Sequence, residues 1–326
     1  MSSLPSFLTS PPPSVGVEIA SDRVTAVLLA RHAASWLVEA HSTVRIPPGV
    51  VTPALNAVNV HDARALAAAV RSAFDKLGTR PRRVALVIPD AAAKVSLLRF
   101  EKVPDDPDLG QLIRWQMRKA APFKPEEAQI SWVPAARLPD GGREYLVTLA
   151  RIDIVETYMR ACSDAGAEAG VVDLVSLNLI NAALAPGAGA AGGDTLLVHV
   201  ATDYATLAIV RGKDLIFFRM RQLNAGADLA DLVHQTAMYY EDRLNGATFS
   251  RVLLSGASGR GLTKLSGQGA DMGERLRRTL EERMGVRVDP LDFRPAAGMR
   301  DRIGAGFDLL DSLAPAVGVV LRERVA

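Results

Sequence analysis

The sequence predicts an α/β fold of two related halves, with a small α/β block inserted in the first. Three features point there. VGVEIASDRVTAVL (15–28) lies over LLVHVATDYATLAI (196–209) without a gap, and the polar turn residues match as well as the apolar ones. Residues 91–166 break the texture with a strand, a helix, a hairpin and a helix of their own. APGAGAAGGD (185–194) is a glycine- and alanine-rich connection at a natural boundary.

The elements follow in order. Residues 15–31 read as a hairpin, two apolar runs around Ser21-Asp22-Arg23, and 36–46 as a third strand. Leu66, Ala69, Val70, Phe74 and Leu77 fall at helical spacing over 62–78, with Gly78 as the stop. A buried strand covers 82–90. In the block, 94–104 is a strand. Residues 108–123 are a helix with Leu109, Leu112, Ile113 and Met117 on one stripe and a stop at Pro122. A hairpin spans 128–152 and turns at Pro139-Asp140-Gly141-Gly142. A helix over 153–166 buries Ile154, Val155, Tyr158, Met159 and Cys162.

Residues 170–184 return to the host as strand and helix. Residues 195–221 read as strand, turn (Ala201-Thr202-Asp203) and strand. Helices are expected over 226–246, 272–285 and 313–325, and a buried strand over 249–262 running into a glycine-rich turn. The division expected is a flexible Pro-rich leader (1–13), a first domain (14–90, 167–190 and 311–326), the insert (91–166) and a second domain (194–310).

A length of 326 residues allows two domains, and 48% hydrophobic with 23% charged residues is an ordinary globular balance. Against 36 acidic residues stand 38 basic ones, a net charge of +2, which speaks against a nucleic-acid binder. One cysteine, Cys162, rules out an internal disulfide framework and fits a reducing compartment. No apolar run is long enough for a membrane span, and MSSLPSFLTSPPPS lacks the basic start and apolar core of a secretion signal.

Two halves that each open with a hairpin resemble the actin-like ATPase superfamily. LIRWQMRKAAPFKPEEAQISW (112–132) is similar to the segment IRWEAEQYIPFPLDEV of the type IV pilus assembly protein PilM family. Residues 150–184, VLLSGASGRGL (252–262) and LAPAVGVVLR (313–322) resemble further stretches of that family. The resemblance implies an actin-like two-domain fold with duplicated halves and an inserted subdomain of the type shared with the divisome protein FtsA. It implies a nucleotide between the halves. It also implies a cytoplasmic scaffold, peripheral to the inner membrane, that docks the cytoplasmic tail of a PilN-like membrane protein in a groove beside the insert. PilO-like and pilus motor proteins are further implied partners, nucleic acid is not, and membrane contact comes through the partners alone.

The nucleotide loops depart from that family. Phosphate loops need backbone N–H groups that approach the anion closely, hence glycine. The first loop here is Glu18-Ile19-Ala20-Ser21-Asp22-Arg23-Val24-Thr25 and the second His199-Val200-Ala201-Thr202-Asp203-Tyr204-Ala205-Thr206. Both glycines are alanine, Ala20 and Ala201, which costs on the order of 1 kcal/mol wherever positive φ is needed. Glu18 keeps the acid on a longer arm. His199 does not, and magnesium prefers oxygen ligands. Thr25 stands where the family has lysine, and Asp22 and Asp203 add negative charge.

The expected nucleotide contacts are Glu18, Ser21, Asp22, Thr25, Thr202, Asp203, Thr206, Gly226 and Gly256. The turn residues also suit turns without a ligand, and Gly226 with Asp228 suits an ordinary helix cap. No residue is assigned to catalysis or metal binding. The expectation is a pseudo-ATPase in which binding of ATP with magnesium is weakened. A working actin-like ATPase with altered loops, a type II secretion GspL-like component and a DNA-segregating filament stay as alternatives. Trp115, Arg118 and Phe123 are the expected partner contacts, against core packing for the aromatics and a solvated face for the arginine.

Overall fold

A computed structural model describes residues 13–32, 35–103, 106–184, 192–223, 229–256, 272–300 and 306–322. The Pro-rich leader to residue 12, residues 185–191 of the glycine–alanine connection, Gly226 with Asp228, and the glycine-rich turn from 257 lie outside the described residues.

The first sheet starts as an antiparallel meander of β1 (Val15–Ile19), β2 (Arg23–His32) and β3 (Ser35–Arg45). Helix α1 (Ala63–Leu77) then crosses to β4 (Arg83–Ile88), which lies parallel to β1. The Asp62 side chain caps the helix by accepting from the Ala65 N–H. Strand β8 (Glu168–Leu174) adds parallel to β4. All five residues of β1 are buried, as befits a central strand covered on both faces.

The second sheet repeats the plan. Strands β9 (Asp194–Val200), β10 (Tyr204–Arg211) and β11 (Asp214–Gln222) form the meander, and β12 (Arg251–Ser255) and β13 (Val288–Pro290) add in parallel. The equivalence reaches single hydrogen bonds. The Ala20 N–H donates to the Arg23 carbonyl at 2.9 Å, and the Ala201 N–H to the Tyr204 carbonyl at 2.9 Å. Glu18 lies opposite Thr25, and His199 opposite Thr206. The stretch 195–221, expected as two strands, contains three, because the chain turns back at Gly212-Lys213 between two apolar runs. Helices α5 (Leu229–Arg243) and α6 (Met272–Met284) pack on one another beside this sheet.

Between the sheets run α4 (Val175–Leu184) and α7 (Phe307–Leu321). Leu179, Leu313 and Val317 share one core with Val87 of the first sheet and Leu197 and Leu253 of the second. Every residue from Leu313 to Leu321 is buried, which requires a helix apolar all round. The two helices meet so closely that a Cβ on Gly318 would lie 1.9 Å from the Asn178 carbonyl oxygen.

Three placements differ from the sequence reading. Helix α7 starts at Phe307 rather than 313. Strand β14 (Ala297–Met299), expected with the second half, pairs in parallel with β3 of the first. Helix α3 (Ile152–Asp164), expected in the insert, turns Ile154, Tyr158, Ala161 and Cys162 into the first-half core beside α1. The helical spacing was right, but it does not say which body a face will meet.

The rest of the insert is a sheet of β5 (Ala93–Phe100), β7 (Arg143–Arg151) and β6 (Ala128–Arg137), in that order. Helix α2 (Asp106–Arg118) covers one face, where Ile113 and Met117 meet Val147 and Leu149. It stops at Arg118, short of Pro122.

Candidate functional site

The two equivalent turns face each other across a cleft of about 300 Å3 between the halves. Glu18, Ser21, Asp22, Thr202 and Gly256, five of the nine expected contacts, line it. Thr25 and Thr206 do not: they are buried one residue pair behind the turns. The Thr206 hydroxyl donates to Asp90 at 2.7 Å, while the Thr25 hydroxyl is buried without a partner among the described residues. Asp203 is not among the lining residues, and Gly226 lies outside the described residues. Neither Ala20 nor Ala201 has positive φ, so the strain expected of alanine there is absent.

Arg23, which sequence reasoning passed over as a turn residue, reaches into this cleft. Its Nη2 lies 3.3 and 3.4 Å from the two Glu18 carboxylate oxygens, and its Nη1 3.2 Å from Asp22. Burial pushes the Glu18 carboxyl up, and the guanidinium pulls the other way. Tyr204 takes the matching place in the second turn. Its ring stands edge-on to His199, 6.0 Å between centroids, and its hydroxyl accepts from the Asp90 N–H at 3.1 Å. Burial holds the His199 imidazole below its ordinary value, against the pull of Asp90 and Asp311. Its Nδ1 is buried without a hydrogen-bond partner among the described residues.

Two carboxylates that sequence reasoning missed join the halves at this cleft. Asp90 accepts from the Ser176 N–H at 2.9 Å, from the Ser176 hydroxyl, and from Thr206 of the other half. Asp311 of α7 accepts from the Ser255 hydroxyl at 2.7 Å and the Gly256 N–H at 2.8 Å. Gly256 has φ +82, and a Cβ there would lie 2.0 Å from the Val200 carbonyl oxygen, so this glycine answers to backbone packing. No spacing could pair Asp90 with Thr206 or Asp311 with Ser255 across such separations.

Magnesium takes an octahedral shell of oxygens, which at a nucleotide site is one or two free carboxylates together with water and phosphates. Glu18 is engaged through both oxygens by Arg23, and Asp90 and Asp311 are occupied by internal donors. Among the described residues no group of three His, Cys, Asp or Glu could hold a metal. With Glu18, Asp90 and Asp311 already bonded to protein donors, this arrangement of the turns does not fit the ion.

A second concavity, of about 410 Å3, lies between the insert and the first half. The sheet alternates along its strands: Ile130, Trp132, Val147 and Leu149 turn towards α2, whereas Gln129, Ser131, Thr148 and Ala150 wall this groove. Val155 and Met159 of α3 form the opposite wall. The expected partner contacts are elsewhere. Trp115 and Arg118 are exposed on α2, across the sheet from the groove, with the Lys119 ammonium 4.1 Å from the Trp115 ring centroid. Phe123 is half-buried against the core of the insert.

The model of the family described as type IV pilus assembly protein PilM matches residues 16–246. Among solved structures, the PilM–PilN type IV pilus biogenesis complex is similar with a TM-score of 0.76 at 18% identity, over 96% of this chain and 99% of that one. The ethanolamine utilization protein EutJ of Carboxydothermus hydrogenoformans has a TM-score of 0.50 at 12% identity, over 96% and 90%. A Bacteroides thetaiotaomicron protein described as having an actin-like ATPase fold has a TM-score of 0.49 at 13% identity, over 92% and 94%. No curated relative matches the chain. The fold is the actin-like two-domain fold. Among the described residues no helix is long and apolar enough to cross a membrane.

Proposed function

The chain belongs to the type IV pilus assembly protein PilM family, and on that premise we propose that it is a non-catalytic scaffold of the pilus assembly machine. It works at the cytoplasmic face of the inner membrane and docks the cytoplasmic tail of a PilN-like protein. PilO-like and motor proteins are met through the same assembly. The observation that carries this reading is that the family match runs through the whole insert, residues 91–166 lying inside 16–246.

The groove between the insert and the first half suits such a tail. It is concave, its walls are largely apolar, and β6 is an edge strand whose backbone an extended peptide can pair with. The α2 face is the second reading, favoured by the 53% exposure of Trp115. Titration of the PilN-like tail peptide into the full chain separates them. Ser131→Trp, which fills the groove, is expected to weaken binding more than about tenfold, or about 1.4 kcal/mol, with Trp115→Ala within about twofold. The reverse pattern moves the site to α2. No binding to the unaltered chain overturns tail docking.

The non-catalytic part rests on the cleft. Glu18 is tied to Arg23, and His199 is held neutral by burial. The purified chain is expected to show no ATP turnover above the uncatalysed rate, and sustained magnesium-dependent phosphate release would refute this.

A further inference from the structure

We infer that the Arg23 guanidinium is the resident cation of the cleft, standing against Glu18 where an actin-like site would bring a divalent metal, and that it closes the cleft to magnesium-bound nucleotide. This deepens the non-catalytic reading and is independent of where the tail docks.

The two turns show the logic when compared position by position. The first keeps an acid, Glu18, and five residues on carries a cation, Arg23, that contacts both its oxygens. The second has lost the acid. It carries His199, with Tyr204 five residues on, two uncharged groups in ring contact. In the first turn Arg23 thus bridges two acids, Glu18 and Asp22, while in the second His199 and Tyr204 meet as uncharged rings. A ligand's metal is required in neither. Guanidinium does not give up its proton at any physiological pH, so the positive charge beside Glu18 is permanent. Asp22 holds it from the other side at 3.2 Å.

A divalent ion would have to evict this group, which is tethered to both Glu18 and Asp22. A triphosphate without metal fares no better. Glu18, Asp22, Asp308 and Asp311 line the cleft against Arg23 and Arg45, so the anion would enter a field of its own sign.

The test is thermal unfolding of the full chain, alone and with millimolar magnesium, manganese or magnesium–ATP, in the unaltered protein, Arg23→Ala and Arg23→Lys. The unaltered protein is expected not to respond. Arg23→Ala leaves Glu18 and Asp22 without their cation. It should melt lower and recover with divalent ions, but not with sodium chloride at equal ionic strength. Arg23→Lys should keep the indifference of the parent. Stabilisation of the unaltered protein by magnesium–ATP overturns the inference. So does a folded Arg23→Ala without divalent-specific recovery. If Arg23→Ala does not fold, the neutral pair Glu18→Gln with Arg23→Met decides: divalent-dependent stabilisation in it would place the metal elsewhere. Tail titration of the same proteins reads the docking proposal separately, and is expected to be unchanged.

Discussion

Thr25 and Thr206 occupy equivalent places in the two halves, yet among the described residues only the Thr206 hydroxyl has a hydrogen-bond partner, the Asp90 carboxylate at 2.7 Å. The repeat is thus symmetric in backbone and asymmetric in chemistry. Thr206 ties its half to the other one, whereas Thr25 is a buried hydroxyl with nothing to bond.

That asymmetry gives a paired prediction. Thr25→Val replaces an unsatisfied hydroxyl by a methyl of the same shape and is expected to stabilise by about 0.5–1 kcal/mol. Thr206→Val removes one of the donors to a buried carboxylate and is expected to cost about 1–3 kcal/mol. Urea unfolding of both variants checks the opposite signs; equal effects would mean Thr25 has a partner after all.

His199 makes stability depend on pH. Its folded pKa lies below the ordinary 6.5 because burial disfavours the imidazolium. Below about 6.5 the unfolded chain takes up a proton that the folded one refuses, so stability falls as pH drops from 7 towards 5. Glu18, raised by burial, has the opposite slope: as pH rises above the ordinary 4.5 the folded state holds its proton longer than the unfolded one, so stability falls there. His199→Gln should therefore flatten the acid-side loss of melting temperature, and a variant as acid-sensitive as the parent would assign that loss to other groups.

Gly318 is the contact point of the two central helices. Ala there would place a Cβ 1.9 Å from the Asn178 carbonyl oxygen. Backbone, not a flexible side chain, stands in the way, so the expected cost is about 3 kcal/mol or more. A melting temperature within a degree or two of the parent would mean that α4 and α7 can separate without penalty.

Restoring glycine at Ala20 is expected to destabilise by about 0.5–1 kcal/mol, because φ there is already accessible to alanine and glycine only adds freedom to the unfolded chain. Calorimetric titration of Ala20→Gly/Ala201→Gly should show no gain in affinity for magnesium–ATP while Arg23 remains in place.

The repeat was legible because strands and turns are local: the same residue types at the same spacing make the same hydrogen bonds at Ala20 and Ala201. Capping was legible for the same reason, at Asp62. Other features depend on encounters between distant segments. Asp90 is one acid after a strand until Thr206 arrives from the other half. Arg23 reads as a turn residue until the hairpin folds it back on Glu18. Trp115 reads as a groove wall or as core packing and is in fact exposed on α2, since the periodicity of α2 does not say which side of the sheet will hold the groove. The turn at Gly212 was hidden inside a stretch apolar enough to pass for one strand.

The return of β14 and α7 to the first half has a consequence for biosynthesis. Residues 297–299 complete an edge of a sheet begun at residue 15, and residues 307–321 cover its inner face. A nascent chain halted in the glycine–alanine connection would hold a sheet still lacking that strand and that helix, with Val27, Val87 and Leu179 uncovered on the side that α7 later fills. The order of synthesis and the order of assembly therefore part company here. The half made first is finished last, and a fragment ending near residue 190 is a poor candidate for independent folding.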